Sequence, residues 1–563
     1  MTLPVAFGPM AIALAAQAEL PPATPPAEQG PVVVAEPAEP PAVDNEIIEG
    51  RRRPDYTGPL PEEVTQTNVG AVRAPPPEAF PVDQVPVPDR WRLIESLGVV
   101  KERWWDPYNQ NTYKGDRPIN PDKVPWLPIT GDDWFFIVNA VSDTVFEPRT
   151  FPIPVGVQTT ERPDSIDVFG KDASYVLSQT FIVGAALLKG STAYKPPDVE
   201  YRVTLAGNIN YVDVPERRVL FVEPSKPSHR FDHFVGVQEA FFDYHFRNVS
   251  DRYDFDSVRI GIQPFQADFR GFLFNDNQLG IRFFGTRDNN RFQYNFGGFW
   301  RLEKDTNSGL NAVLQTPRDD YVFYVNAYRQ DFLIPALTSQ LTFVWNANRE
   351  AQDVQIDDNG FPVRPALLGS LRGRDYDVFY LGYNADGRIG RINLTGSAYY
   401  AFGEDRNSFF TDERADISAY FAALEASYDR DWMRFRLSAA YASGDSDPYD
   451  DVETGYDAIF ENPVFAGADF DITPEFRLSA NANHLWFENT ATLQALRNEG
   501  SIPKAIGWDL SAAAIWRPKA TQNIVFRLSG AALVSGSGFE DLFTALDNPG
   551  TYYSVLANVV LTY

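Results

Sequence analysis

The chain has 563 residues, of which 44% are hydrophobic and 14% aromatic, and it carries a formal net charge of −27. An acidic balance of this size disfavours nucleic acid as a partner, because carboxylates repel phosphates. Cysteine is absent, which excludes disulfides, thiol nucleophiles and zinc–thiolate sites. After the first twenty residues no run of 18 apolar residues occurs, so we expect no membrane-spanning helix.

The first 18 residues have the pattern of an export signal. Leu3 to Ala16 is apolar, and the small residues on either side of Gln17, Ala16 and Ala18, fit a cleavage site. No Lys or Arg precedes the apolar run, which departs from that pattern. The alternative of a buried helix is disfavoured by the prolines that begin at Pro21, because they would break it.

Residues 19–88 form a Pro-rich periplasmic linker that we expect to be extended and disordered. Within it, NEIIEGRRRPDY (residues 45–56) resembles the energy-coupling box of TonB-dependent receptors, with a plain linker as the alternative that the composition favours. Residues 89–132 are rich in aromatic and turn-forming residues. We interpret them as a periplasmic cap or as a segment inside a pore.

From residue 133 to residue 563 one pattern repeats, in which segments of alternating apolar and polar residues are separated by turn residues. In the clearest case Phe435, Leu437 and Ala439 share one face, and Arg434 and Arg436 share the other. We predict eighteen strands, which begin near residues 133, 174, 199, 234, 256, 279, 291, 320, 337, 375, 391, 415, 432, 463, 475, 505, 521 and 552.

Connection lengths separate a membrane barrel from a soluble sandwich, which would also alternate. The predicted connections alternate between short turns and mostly long loops. This is typical of transmembrane barrels, which have an even strand number and both termini on the periplasmic side. The sequence therefore predicts an all-β fold: a transmembrane antiparallel up-and-down β-barrel of about 18 strands, with a disordered Pro-rich N-terminal extension.

The segment TYYSVLANVVLTY, residues 551–563, is a strand in its own right. Its last aromatic residue, Tyr563, together with Leu561 and Val559, resembles the C-terminal targeting signal of bacterial outer-membrane proteins. The resemblance implies an outer-membrane location and the outer-membrane assembly machinery as a partner. We further expect contact with membrane lipid and lipopolysaccharide, and with peptidoglycan through the linker. Aromatic residues at strand ends fit interface girdles; they are Trp486, Trp508, Trp516, Tyr552 and Tyr553.

The inward face of the predicted barrel collects arginines, because an arginine that faces lipid at mid-bilayer costs about 2–4 kcal/mol. The predicted pore-lining residues are Arg202, Arg259, Arg282, Arg291, Arg301, Arg434, Arg436, Arg477 and Arg527. Fixed charges of one sign favour anions. The alternative is that inward acids, among them Glu239, Asp243, Glu425 and Asp509, pair with the arginines and cancel much of their field.

One loop is too apolar for a solvated tip. Residues 263–278 include Phe265, Phe269, Phe272, Leu273 and Phe274, so we expect this loop to fold inward and constrict the pore, or to pack against a neighbour. In the constricting arrangement Arg270 lies at the opening.

Motifs for catalysis are absent from the sequence: there is no GxSxG, no HExxH and no phosphate-binding loop. We therefore expect no enzymatic activity, no catalytic residue, no metal and no cofactor. The strand number and the arginine-rich interior resemble eighteen-stranded alginate-export channels and substrate-specific porins, and residues 257–290 and 301–311 resemble an uncharacterised proteobacterial outer-membrane family. The resemblance implies a porin-like channel for passive uptake or export of small or acidic solutes such as anionic saccharides. The alternatives are a structural anchor or adhesin with a plugged barrel, or a reduced TonB-dependent-type receptor.

Overall fold

The computed structural model describes residues 103–106, 111–116, 118–119, 124–127, 129, 133–153, 171–190, 196–250, 254–367, 369–461, 467–543 and 550–563. The predicted export signal at 1–18, the linker at 19–88 and much of the segment at 89–132 lie outside these residues.

The described residues form nineteen strands, two short α-helices and one 3-10 helix, Pro518–Ala520. The strands are β1 (Trp134–Thr150), β2 (Ala173–Lys189), β3 (Val199–Asp213), β4 (His229–Asn248), β5 (Phe255–Gln266), β6 (Asn275–Arg287), β7 (Phe292–Trp300), β8 (Asp320–Arg329), β9 (Leu337–Arg349), β10 (Asp375–Ile389), β11 (Ile392–Asp405), β12 (Ala415–Arg430), β13 (Met433–Ala442), β14 (Val452–Glu453), β15 (Ala468–Thr473), β16 (Phe476–Trp486), β17 (Ala505–Trp516), β18 (Ile524–Ser535) and β19 (Thr551–Thr562). Helix α1 (Ala491–Arg497) lies between β16 and β17, and α2 (Ser537–Leu542) lies between β18 and β19.

Eighteen of these strands form one closed antiparallel wall. Each wall strand pairs with the next along the chain, and β1 pairs with β19, from Val141 opposite Thr562 to Arg149 opposite Ser554. The exception is the two-residue strand β14, which pairs in parallel with β12 while β13 pairs with β15. Pairing of the first strand with the last closes the wall, which confirms the predicted fold class.

The outer face of the wall is apolar and exposed, as alternation along each strand requires. Leu437 on β13 is 79% exposed, Val235 on β4 is 71% exposed and Leu341 on β9 is 59% exposed. A soluble protein does not leave a continuous band of large apolar side chains uncovered, whereas a membrane barrel presents such a band to lipid.

The inner face is identified by contacts between strands that are distant around the wall. Arg270, between β5 and β6, contacts Glu425 on β12, and Asp268 contacts Tyr399 on β11. Side chains from such strands can meet only across the interior, so Tyr399 and Glu425 define the inward face. The pairing register then assigns each of the remaining wall residues to the inward or the outward face.

The strands were located closely by the sequence, with three shifts of more than three residues. β4 and β6 begin earlier than predicted, at His229 and Asn275, because their ladders continue into polar residues beyond the apolar band. β15 begins later, at Ala468, and is only six residues long. Among the described residues, no helix is long and apolar enough to span a membrane.

The prediction was wrong for one of the five girdle residues. Tyr552 is only 5% exposed, because it pairs with the inward residue Leu533 and its ring packs 5.3 Å from that of Phe539. The other four predicted girdle residues, Trp486, Trp508, Trp516 and Tyr553, are exposed by 63%, 49%, 47% and 52%.

Candidate channel lining

The loop between β5 and β6, residues 267–274, folds into the barrel. The Asp268 carboxylate accepts hydrogen bonds from the backbone N–H groups of residues 270–273, at 2.6 to 3.1 Å. It also accepts a hydrogen bond from the Tyr399 hydroxyl at 2.9 Å. On β9, Gln340 donates to the Ala267 carbonyl at 3.1 Å. These bonds attach the loop to strands well around the wall, so the loop crosses part of the interior.

The apolar side chains of this loop are buried. Phe272, Leu273 and Phe274 are exposed by 6%, 0% and 0%, and pack against inward residues of β7 to β12. A second segment, residues 456–461 of the loop after β13, joins them: Ile459 and Phe460 donate their N–H groups to the Leu273 carbonyl at 3.1 and 3.2 Å. Two inward segments therefore fill one side of the barrel with a hydrophobic core.

Arg270 is held by an acidic partner on the far side of this core. Its guanidinium contacts Glu425, which also accepts a hydrogen bond from the Ser438 hydroxyl at 3.0 Å. Arg436 lies 3.8 Å from Glu425 and 2.7 Å from Asp469. The result is a row of alternating charges across the inward face of β12, β13 and β15.

Four further predicted lining arginines face inward, and each has a carboxylate partner. The pairs are Arg202 with Glu200 at 2.8 Å, Arg259 with Asp243 at 2.8 Å, Arg434 with Asp429 at 2.8 Å and Arg477 with Asp471 at 2.6 Å. Opposite charges at these distances neutralise one another to a large extent. The arginine-rich interior is therefore much less basic than a count of arginines indicates.

Two of the predicted lining arginines face inward without an ion pair to any residue that the structure describes. Arg282 on β6 lies directly opposite Arg259 in the ladder, and its guanidinium is 4.4 Å from the centre of the Phe284 ring. Arg527 on β18 lies opposite the inward Asn558. Among the predicted lining residues, these two arginines lack the direct carboxylate contact that the other inward arginines make.

The last two predicted lining residues lie beyond the strands. Arg291 is in the turn between β6 and β7, where it is exposed and 3.5 Å from Asp331 of the neighbouring turn. Arg301 follows β7 in the long loop 301–319, is buried, and pairs with Asp320 at 2.9 Å. Alternation assigned them to the inward face because each directly adjoins a strand.

Exposure differs between the two sides of the interior. On the side filled by the inward segments, Val322, Val344 and Asn384 are 0% exposed. On the other side, the inward side chains of Arg434 and Asp471 remain 46% and 48% exposed. Ionised groups that face an open, polar interior keep their hydration. The exposed charged part of the interior therefore includes β13 and β15, and Arg477 on β16, which is 33% exposed, adjoins it.

Sequence analysis did not identify an ion-pair network in the long loops. Arg318 lies 2.8 Å from both Asp320 and Glu350, and Arg364 lies 2.5 Å from Glu303 and 3.4 Å from Glu350. Burial raises the pKa of the Glu350 carboxyl, but hydrogen bonds and charge from Arg318, together with Arg364, outweigh burial and lower it to about 2. These residues are far apart in sequence, so no local pattern signals the network.

Within the part of the chain that the structure describes, no group of three or more His, Asp or Glu side chains is arranged to hold a metal ion. His245 and Ser257 lie opposite one another in the ladder, and the His245 Nε2 atom is 2.7 Å from the Asn248 side-chain oxygen.

A closed wall of eighteen antiparallel strands, apolar outside and charged inside, defines a transmembrane β-barrel of the bacterial outer-membrane type. No family model matches the sequence, and no curated protein matches it.

Among solved structures the chain is similar to Pseudomonas aeruginosa OccK9 (OpdG), with 12% identity and a TM-score of 0.43 over 76% of this chain and 98% of that one. It is also similar to Acinetobacter baumannii OccAB1, with 9% identity and a TM-score of 0.45 over 76% and 96% of the two chains. It is also similar to Pseudomonas putida OprB, with 12% identity and a TM-score of 0.37 over 77% of this chain and 94% of that one. These TM-scores are below 0.5, so the class of the protein rests on the geometry of the barrel itself.

Proposed function

We propose that this protein is a porin-like channel for passive movement of small solutes across the outer membrane. The observation that carries the proposal is the difference in exposure across the interior, where inward loops fill one side and charged residues of β13 to β16 remain partly exposed. Barrels of 16 to 18 strands are wide enough to leave an aqueous channel. A polar, partly exposed inner surface supports passage of water-soluble molecules.

We further propose that the channel favours acidic solutes, of which anionic saccharides are one class. Most of the predicted lining arginines are paired with carboxylates, so among them we expect the preference to depend on Arg282 and Arg527. Arg527 faces the interior on β18 and is half-buried, and fixed charges on an inner wall set the preference for ions of one sign.

Single-channel conductance in planar bilayers, with reversal potentials in a KCl gradient, tests both statements. Stable conductance steps are expected of the wild type, and a silent bilayer would instead favour a plugged anchor or adhesin. Arg527→Glu is expected to lower the anion-to-cation permeability ratio more than Arg434→Glu, because Arg434 is already paired with Asp429. Arg291→Glu is the matched control, because it makes the same charge change in an exposed turn. An Arg527→Glu channel with wild-type selectivity would contradict the acidic-solute proposal without affecting the channel proposal.

A further inference from the structure

Residues 111–116 and 118–119 cover a gap beside the first strand. β1 begins at Trp134 but hydrogen-bonds with the last strand only from Ala140 onward. In the part of β1 that precedes Ala140, Val138 donates its N–H group to the Tyr113 carbonyl at 2.6 Å. The Trp134 carbonyl accepts a hydrogen bond from the N–H group of Ile119 at 2.8 Å. An uncovered strand edge near the membrane carries unpaired backbone groups. Residues 111–116 and 118–119 therefore continue the wall where the pairing of β1 with β19 stops.

The segment packs against the outside of the barrel. Phe136 pairs with Leu187, and Leu187 lies on the same face of β2 as Val183, which is 53% exposed on the outer surface. Ile119 and Val124 are buried at 4% and 0% against Phe136. Their hydrophobic cluster therefore forms on the lipid side of the wall.

Three tryptophans on either side of this segment, within residues 103–127, are exposed. Trp104, Trp105 and Trp126 are exposed by 66%, 60% and 60%, although Trp126 also packs edge-on against Phe136 at 5.2 Å. The Tyr563 hydroxyl donates a hydrogen bond to the Trp104 carbonyl. These contacts place the tryptophans at the end of the barrel where β1 begins and β19 ends.

The same end of the barrel already carries exposed aromatic residues on its outer face. Trp432, in the turn between β12 and β13, is 49% exposed, and Trp516, at the end of β17, is 47% exposed. Tryptophan prefers the boundary between hydrocarbon and head groups, because its ring is apolar while its N–H group seeks a polar partner. Trp104, Trp105 and Trp126 extend this belt across the position where the barrel closes.

We propose that the described parts of residues 103–127 form a membrane-interface anchor, which covers the free edge of β1 and places Trp104, Trp105 and Trp126 among the phospholipid head groups of the periplasmic leaflet. The anchor lies outside the wall and leaves the lumen open. It requires only that the barrel spans the membrane, and it is independent of what the barrel conducts.

The absence of cysteine allows a direct test by site-directed spin labelling of the full chain in phospholipid vesicles. Trp104→Cys and Trp126→Cys are labelled separately, and accessibility to oxygen, which concentrates in lipid, is compared with accessibility to a water-soluble nickel chelate. Leu437→Cys, on the outer face at mid-strand, is the lipid control. Ser511→Cys, on the inner face of β17, is the lumen control.

The expected result is oxygen accessibility several-fold above that of the Ser511→Cys label, at a shallower depth than the Leu437→Cys label. If the labels at residues 104 and 126 both show the accessibilities of the Ser511→Cys label, with the nickel chelate reaching them and oxygen not enriched, the proposal is overturned and the segment lies in water. Each labelled protein is first tested for resistance to unfolding in unheated SDS, which shows that the barrel has formed. A variant that fails this test is replaced by one labelled at Trp105→Cys.

Discussion

Glu350 lies one residue beyond the end of β9 and joins two long loops through Arg318 and Arg364. Such a carboxylate stabilises a fold only while it is ionised. The ordinary pKa of a glutamate is 4.5, and that of Glu350 is lowered to about 2. Its stabilising effect is therefore complete above about pH 4.5 and is lost as the pH falls toward 2.

The first prediction concerns this residue and the pH. Digestion of the folded protein by pepsin within loops 301–319 and 350–374 is expected to accelerate as the pH falls from 4.5 to 2. Glu350→Gln is expected to be cleaved faster already at pH 4.5 and to depend less on pH, because glutamine cannot form the ion pairs. Equal pH dependence in the two proteins would contradict the assigned role of Glu350.

A second prediction at the scale of the residue concerns Gly297 on β7. A Cβ atom at this position would lie 2.1 Å from the Ile281 carbonyl oxygen of the neighbouring strand, whereas at Gly530 on β18 the nearest heavy atom would be 4.0 Å away. Gly297→Ala is expected to lower the free energy of unfolding by about 1–3 kcal/mol, because two backbones must separate. Gly530→Ala is the matched control, and urea unfolding followed by tryptophan fluorescence measures both. Similar midpoints would argue against close strand approach at Gly297.

At the scale of the element, the inward loop 267–274 depends on one carboxylate. Asp268 satisfies four consecutive backbone N–H groups and the Tyr399 hydroxyl, and each buried group left without a partner costs on the order of 1–3 kcal/mol. The loop is therefore stable only while this turn is intact. Its apolar residues could be recognised from the sequence, but its anchoring points on β9 and β11 could not.

The third prediction follows from this loop. Asp268→Ala is expected to raise the single-channel conductance and its fluctuations, because the loop detaches from the interior core. Asp331→Ala is the control, since Asp331 accepts one backbone N–H group in an exposed turn on the opposite end of the barrel. Unchanged conductance in Asp268→Ala, with normal conductance in the control, would show that the loop does not limit the channel.

At the scale of the whole molecule, the wall separates an apolar exterior from a charged interior. Neighbouring residues of a single strand experience opposite surroundings, as β13 shows. Leu437 faces outward and is 79% exposed, whereas the nearby Ala440 faces the open side of the interior and pairs with the inward Ala423.

The fourth prediction tests this separation. Leu437→Arg is expected to destabilise the membrane-inserted protein by about 2–4 kcal/mol, because an arginine at mid-bilayer loses its hydration. Ala440→Arg introduces the same side chain into the interior and is expected to leave the stability nearly unchanged. Equilibrium unfolding in lipid vesicles compares the two. A larger loss for Ala440→Arg would contradict the assignment of faces.

Alternation and loop length were sufficient to determine the strand number, the order of the strands and the face of most predicted lining arginines, because both properties are local along the chain. The period of two in residues 433–442 assigns Arg434 and Arg436 to one face regardless of what surrounds them. The same local signal misassigned Tyr552, since aromatic residues occur both at lipid interfaces and in buried contacts.

The pairing of charges was decided only by the tertiary structure. Glu425 meets Arg270 across 155 residues, and Arg318, Arg364, Glu303 and Glu350 meet through two separate loops. Whether an inward arginine is neutralised depends on which carboxylate the closed barrel brings within about 4 Å of it. Sequence by itself determined that this protein is a membrane barrel with arginines inside, because burial and periodicity are written along each strand. Closure of the wall and inward folding of the loops determined which of those arginines remain without a carboxylate partner, because that depends on distances between segments far apart in the chain.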